Sequence, residues 1–209
     1  MKRIFWIITL IGLISSVSAQ DTIRITHSNY VSVFSTTKHY PVLVEWWLTK
    51  SKVQCSNPLV RTNNFAPDPD LSNETDLAKD YSGQAYDRGH MSDAADNLCL
   101  GLPTEYECFY YSNMAPQYPA LNRGSWKKLE MSCRKLAIEK DSIHIWAGNL
   151  GEALKIGKVS VPLQCWKVIY VVKDKNFHAY LFTNSKNDKL NLHTEVPLDS
   201  IKTLTGFKF

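Results

Sequence analysis

Four blocks of polar residues follow one another along a chain of 209 residues: Asp87-Arg88-Gly89-His90-Met91, Asn113-Met114-Ala115-Pro116-Gln117, Leu121-Asn122-Arg123-Gly124-Ser125-Trp126, and Glu130. These residue types suit phosphodiester hydrolysis. That reaction needs a base to activate water, positive charge against the phosphorane-like transition state, and support for the leaving alkoxide. A histidine supplies the base near neutral pH. A hard divalent cation such as Mg²⁺ supplies the Lewis acid; it prefers oxygen ligands and keeps several waters. One asparagine amide oxygen can anchor it, and an arginine fork matches phosphate. His90, Asn122, Arg88 and Glu130 offer one of each part. Each also has a plain structural reading. A histidine beside glycine is commonly a loop residue, an asparagine before a helix an N-cap, and a glutamate on a basic helix an exposed ion-pair partner. On one regular helix, the eight residues from Asn122 to Glu130 span about 12 Å of rise and about 80° of turn. Both can then bind a metal directly only if the helix start is distorted; otherwise Glu130 acts through water.

The elements that must position these residues read as α+β. Pro41 to Leu48 is β-branched and aromatic, as a strand requires. Cys55 to Tyr86 is rich in Asn, Asp, Pro, Ser and Gly and reads as a long ordered loop, a length that is usually functional. From Leu121 to Lys140 the pattern turns helical, with Trp126, Leu129, Cys133 and Leu136 as its apolar stripe. Strands follow at Ile143–Ala147, Trp166–Val172 and Phe177–Phe182, the last two joined as a hairpin with Asp174 and Asn176 in the turn. The expected fold is a single α+β domain around a central antiparallel sheet. HExxH, GxSxG, P-loop and GxGxxG motifs are absent, so a different kind of hydrolase would lack a nucleophile motif.

The composition, 44% hydrophobic and 21% charged, is that of a globular domain, and nine Gly with nine Pro exclude collagen-like and Pro-rich chains. The N-terminus carries Lys2 and Arg3, an apolar run from Ile4 to Ile14, and small residues up to Ala19. This pattern predicts a secretory signal, residues 1–19, cleaved after Ala19 and leaving a domain over residues 20–209, secreted or periplasmic and free of the membrane. The rival, an uncleaved anchor, needs a run of about 18–20 apolar residues. Loss of Lys2 and Arg3 takes the net charge from +4 to +2, so a basic surface must come from the arrangement of charges. Export implies an oxidising compartment. Among Cys55, Cys99, Cys108, Cys133 and Cys165, the loop from Cys99 to Cys108 is one that a disulfide could close; the odd count leaves at least one thiol over, and the sequence does not fix the pairing. Cys133 and Cys165 read as buried apolar residues.

The constellation resembles the DNA/RNA non-specific endonucleases, the ββα-metal nucleases that carry a DRGH motif. Asp87 to His90 is the tetrad, and the Asn113 and Asn122 blocks match the family's second and third in order and spacing. Phe65-Ala66-Pro67-Asp68-Pro69 and Trp166-Lys167-Val168-Ile169 are similar to further family segments. The resemblance implies that a strand pair presents His90 as general base and a helix presents Asn122 as the protein ligand of one Mg²⁺ or Mn²⁺. It implies that Glu130 holds the waters around that metal, that Arg88 with Arg61 contacts phosphate, that Asn113 orients the site, and that Asp87 braces the motif's backbone. Substrates would be DNA and RNA, single- or double-stranded, cut to leave 5′-phosphates. A catalytically silent relative would be expected to lack His90 or Asn122, and both are present. Asn149 stands where the family usually has Pro, away from the tetrad, and is expected to alter local backbone only.

Overall fold

The computed structural model describes residues 21–187 and 194–209; the expected leader, residues 1–19, lies outside them. The first three strands are β1 (Thr22–Thr26), β2 (Tyr30–Ser35) and β3 (Tyr40–Thr49). Short helices α1 (Lys50–Val53), α2 (Ser72–Thr75) and α3 (Ala78–Tyr81) punctuate the long loop that leads to β4 (Asp87–His90). After α4 (Leu102–Glu107) come β5 (Met114–Gln117), a π-helical turn at Leu121–Trp126 and α5 (Lys127–Lys140). The second half holds β6 (Ser142–Leu150), β7 (Leu154–Ile156), β8 (Val159–Val161), β9 (Gln164–Val171), β10 (Asn176–Thr183), β11 (Thr194–Val196) and α6 (Leu198–Thr205).

Seven strands form one antiparallel sheet in the order β1-β2-β3-β6-β9-β10-β11. The four expected strands lie in its centre, each within three residues of its predicted ends. The β9–β10 hairpin forms, with Lys175 rather than Asn176 in the left-handed conformation (φ 51°). β1, β2 and the β7–β8 hairpin were not marked by the sequence pattern. Period-2 alternation gives the sheet two apolar faces. One carries Val42, Val44, Trp46 and Leu48 of β3 with Ile143, Ile145 and Ala147 of β6, against Leu129, Cys133 and Ala137 of α5. The other carries Leu43, Trp146, Trp166 and Val168 and is covered by Ile201 of α6 and the C-terminal Phe207 and Phe209. Of the predicted helical stripe, Leu136 is only partly buried and Ala137 takes its place in the core.

The disulfide is Cys55–Cys99, not Cys99–Cys108. The Cys108 thiol instead points back along its own helix to the Glu105 carbonyl at 2.9 Å. Cys108, Cys133 and Cys165 are buried free thiols. The bridge ties the loop carrying Arg61 to the segment behind His90, beside a backbone bond from Leu59 N–H to the Leu98 carbonyl (2.8 Å). Among the described residues no helix is long and apolar enough to cross a membrane.

Candidate active site

β4 and β5 form a two-stranded antiparallel sheet apart from the large one, with His90 opposite Met114. Gly89 is required there: a Cβ would lie 2.2 Å from Gln117 Oε1 and 2.7 Å from its Cγ. The chain then enters the π turn and α5, so two strands and a helix converge. Trp126 pins them together, its indole N–H donating to the His90 carbonyl at 3.2 Å.

The helix start is distorted, the condition under which Asn122 and Glu130 can serve one centre. Leu121–Trp126 is π-helical, and Gly124 (φ −99°, ψ −113°) breaks the helical path; such turns recur at functional sites. Asn122 is not the helix cap: Ala120 occupies that position. The Asn122 side chain instead donates its Nδ2 to Asp87 Oδ2 at 2.9 Å. Arg123 clamps the same carboxylate through Nε (2.8 Å) and a terminal nitrogen (2.7 Å). Asp87 therefore braces side chains of the helix rather than the motif's backbone. Burial alone would raise the Asp87 carboxyl, but the Arg123 and Asn122 hydrogen bonds outweigh it and hold it below the usual range. With its nitrogen committed to Asp87, Asn122 keeps Oδ1 as its ligand atom.

His90 is 6% exposed and packs between Phe65 (ring centroids 5.7 Å) and Phe109 (5.0 Å, edge-on). Its Nε2 is buried without a hydrogen-bond partner. Burial first, then the Arg61 charge, pushes the imidazole down to about 3, against the pull of Asp93 and a hydrogen bond with the Arg88 backbone. His90 is therefore a neutral ring with a free nitrogen at physiological pH. Arg88 lies 3.8 Å above the Phe65 ring and Arg61 5.2 Å above that of Phe109, so two guanidinium groups flank the histidine's aromatic walls. Arg61, Phe65, Tyr86, Asp87, Arg88, Asn122 and Arg123 line a cleft of about 510 Å³. Asn113, fully buried, staples the segment after His90: Nδ2 donates to the Ser92 and Cys108 carbonyls and Oδ1 accepts from Ser92 N–H.

Glu130 is buried, not the exposed ion-pair partner that its basic helix suggests. It shares the core with Asp93, Asp96, Arg134 and Lys167; burial first, then Asp93, raises its carboxyl well above the usual range. Arg134 bridges Asp93 and Asp96 (3.2 Å to the latter). Lys167, 1% exposed, is sandwiched between Trp126 (4.3 Å to the ring centroid) and Trp46 (5.5 Å). With Glu130 held protonated by burial, the Asp93 and Asp96 carboxylates are matched by Arg134 and Lys167. The free oxygen of Asn122 fits a hard divalent cation held there with water as its other ligands. Asp93, Asp96, Arg134 and Lys167 were not among the expected site residues; a lysine inside the apolar strand Trp166–Val172 was the available signal. Asn149 is also closer to the site than expected, its Nδ2 reaching the Pro41 carbonyl (2.8 Å) and Met91 Sδ (3.4 Å).

A second cluster, His27, Asp68 and Asp70, brings three ligand-type atoms within 4.8 Å of one another and could hold a metal ion. Asp68, however, already accepts hydrogen bonds from Ser112 and from Asp70 N–H (3.0 Å) and faces His27 Nε2 at 2.9 Å.

A strand pair and helix that set an anchored asparagine and paired arginines in one cleft, with a neutral histidine packed behind its Phe65 wall, define a ββα-metal nuclease. The chain matches the DNA/RNA non-specific endonuclease family over residues 12–209 and belongs to it; this family is dependent on a divalent metal and its members are phosphodiester hydrolases. A nuclease of Nostoc sp. (strain PCC 7120) is 30% identical over 221 residues, covering 94% of this chain and 79% of its own. Nuclease C1 of Cunninghamella echinulata var. echinulata is 33% identical over 67% of this chain and 60% of its own. Among solved structures, a chain of the EndoG/EndoGI complex superposes with a TM-score of 0.77 at 27% identity, covering 89% of this chain and 84% of that one.

Proposed function

We propose that this is an exported, sugar-non-specific endonuclease that hydrolyses DNA and RNA, single- or double-stranded, to 5′-phosphate ends with Mg²⁺ or Mn²⁺. The observation that carries the reading is the buried, unpartnered Nε2 of a neutral His90 beside two arginines and an asparagine whose amide nitrogen is already committed. His90 Nε2 takes the proton of a water that attacks phosphorus. The P–O3′ bond breaks, and the 3′ oxygen leaves as a hydroxyl after taking a proton from water. Arg88 and Arg61 offset the charge that builds on the phosphoryl oxygens. Asn122 would hold the cation, with Glu130 acting through intervening water, and the cation would supply Lewis-acid stabilisation. Asp87 and Asn113 keep Asn122 and the His90 segment in place. Export follows from the leader over residues 1–19, and the domain from residue 20 onward is the exported unit.

The test is digestion of plasmid DNA and of a transcript with Mg²⁺, with excess EDTA, and with EDTA followed by Mg²⁺, with end-labelling of the products. Cleavage of both polymers that EDTA stops and Mg²⁺ restores, with 5′-phosphorylated ends, is the expected result. Binding without cleavage under all three conditions would overturn it.

A further inference from the structure

Two tyrosines stand next to the cleft with their polar ends spent on each other. Tyr86, part of the cleft wall, immediately precedes the Asp87 that holds Asn122. Tyr118 lies one turn before Asn122, and its carbonyl accepts the Asn122 N–H at 2.9 Å. The Tyr86 hydroxyl donates to the Tyr118 hydroxyl at 2.9 Å, with the ring centroids 4.6 Å apart and tilted by 45°. Both rings are half-buried, and the exposed Lys186 holds its ammonium 5.6 Å from the Tyr118 centroid. Burial and the Tyr118 partner push the Tyr86 phenol up to about 12, so it stays neutral. What the pair offers a ligand is aromatic surface, with one exposed cation over it.

With nucleic acid in the cleft, as proposed above, we infer that Tyr86, Tyr118 and Lys186 form a nucleobase subsite. The base next to the scissile phosphate stacks on the tyrosine pair, and Lys186 swings from the ring to an adjacent phosphate. Three observations favour this occupant. The rings lie within one turn of Asn122 and one residue of Asp87, so a nucleotide whose phosphate sits at the site has its base within reach. Every base has a π-face, so stacking on aromatic rings is tolerant of sequence, as a non-specific nuclease requires. And an exposed lysine over a ring is held weakly enough to be exchanged for a base. The rival role is a latch, in which the hydroxyl pair ties β4 to the helix start and the rings merely carry the hydroxyls.

The test is steady-state cleavage with Mg²⁺ of a single-stranded oligonucleotide and of an equally long strand of abasic tetrahydrofuran residues. Tyr118→Leu is expected to raise KM on the base-bearing strand roughly 5- to 150-fold, the span measured for single stacked bases. Its kcat should stay within about threefold, and its penalty should vanish on the abasic strand. Tyr118→Phe keeps the ring and loses the hydroxyl, and should recover the wild-type KM to within about threefold. Lys186→Ala should reduce the salt dependence of KM by about 0.7 in the log–log slope. Thermal melting checks the fold, and Tyr86→Leu carries the same test should Tyr118→Leu prove unstable. An unchanged KM in a folded Leu variant overturns the subsite. So does a Phe variant as impaired as Leu, with kcat falling on both strands, which is the latch. A wild type that cuts neither strand overturns the nuclease reading itself.

Discussion

The molecule buries two histidines beside carboxylates, and the two sites are built to opposite plans. His27 faces Asp68 at 2.9 Å, and that carboxylate also accepts from Ser112 and from the Asp70 backbone. Burial would raise the Asp68 carboxyl, yet the hydrogen bonds from His27 and Ser112 hold it below its ordinary range. His90, by contrast, is walled by Phe65 and Phe109 with Nε2 unpaired. By ligand type the His27 cluster looks the more like a metal centre. By unused valence the His90 site looks the more like a reactive one. Native structures rarely leave buried polar atoms unpaired, and those that persist call for a functional account. The difference teaches that the supply of free lone pairs, more than the mere presence of His and Asp, separates a working site from a structural network.

Removing His90 tests the comparison most severely. His90→Ala is expected to lower the single-turnover cleavage rate by about 10²–10⁴ with an unchanged circular dichroism spectrum, since a general base contributes on that order. A purified variant that cuts DNA at the wild-type rate would refute the role of Nε2.

The metal anchors come next. Asn122→Ala should lose metal-dependent cleavage that excess Mg²⁺ restores poorly, because its Oδ1 fixes the position of a cation otherwise bound through water. Glu130→Ala, one layer out, should weaken apparent metal affinity by roughly 10–100-fold and be largely rescued by added Mg²⁺. Titration of initial rate against Mg²⁺ separates the two. If Asp70→Ala shifts that titration instead, the His27 cluster is the functional metal site and the comparison is reversed.

Much of this was legible in the chain because chemistry restricts residue types. His90, Asn113, Asn122 and Glu130 announce themselves by kind and order, and the four central strands by apolar runs. The electrostatic cluster around Glu130 was not legible. Asp93 and Asp96 gain their partner only when Arg134, some forty residues on, folds over them, and Lys167 sits in an expected strand whose burial on both faces only the fold reveals. β1 and β2 are short and carry Ser or Thr at four of their eleven positions, so neither shows the long apolar run that marks the central strands. Their Ser32 becomes fully buried only because its hydroxyl meets the Ser112 carbonyl (2.7 Å), eighty residues away. The cysteine pairing was not legible for the same reason: closeness in sequence offers Cys108, whereas the fold brings Cys55 to Cys99.

At the structural site a smaller effect, on stability alone, is expected. His27→Ala leaves the buried Asp68 carboxylate short of a partner, which should cost about 1–3 kcal/mol. Cleavage at temperatures well below the melting point should be retained. Urea denaturation alongside initial rates checks both halves. A variant as stable as wild type but inactive would make His27 a functional ligand.

The last effect is one of slope with pH, spread over several units, and it distinguishes the two sites by where it falls. The His90 imidazole is depressed from 6.5 to about 3. Above pH 6.5 neither the folded nor the unfolded chain holds a proton on this ring. As the pH falls below that, the unfolded chain takes one up and the folded chain does not until about pH 3. His90 therefore costs stability at up to about 1.4 kcal/mol per pH unit through this window. Asp68 is depressed below 3.8, so the stability it contributes is lost only further down, as pH falls through its lowered folded value. Asp96, pushed up to about 6 by burial and Asp93, acts in the opposite sense between pH 6 and 3.8, where the folded state holds the extra proton. The wild-type curve alone therefore mixes terms of both signs, and the difference between variants isolates each one. His90→Gln should flatten the loss of stability between pH 6.5 and 4, and Asp68→Asn should alter the slope only below about pH 4. Urea midpoints measured at half-unit intervals from pH 7 to 3.5 resolve the two windows. Were His90→Gln to leave the slope between pH 6 and 4.5 unchanged, the ring would be protonating in the folded state, and Nε2 would not be the free, neutral base that the cleft requires.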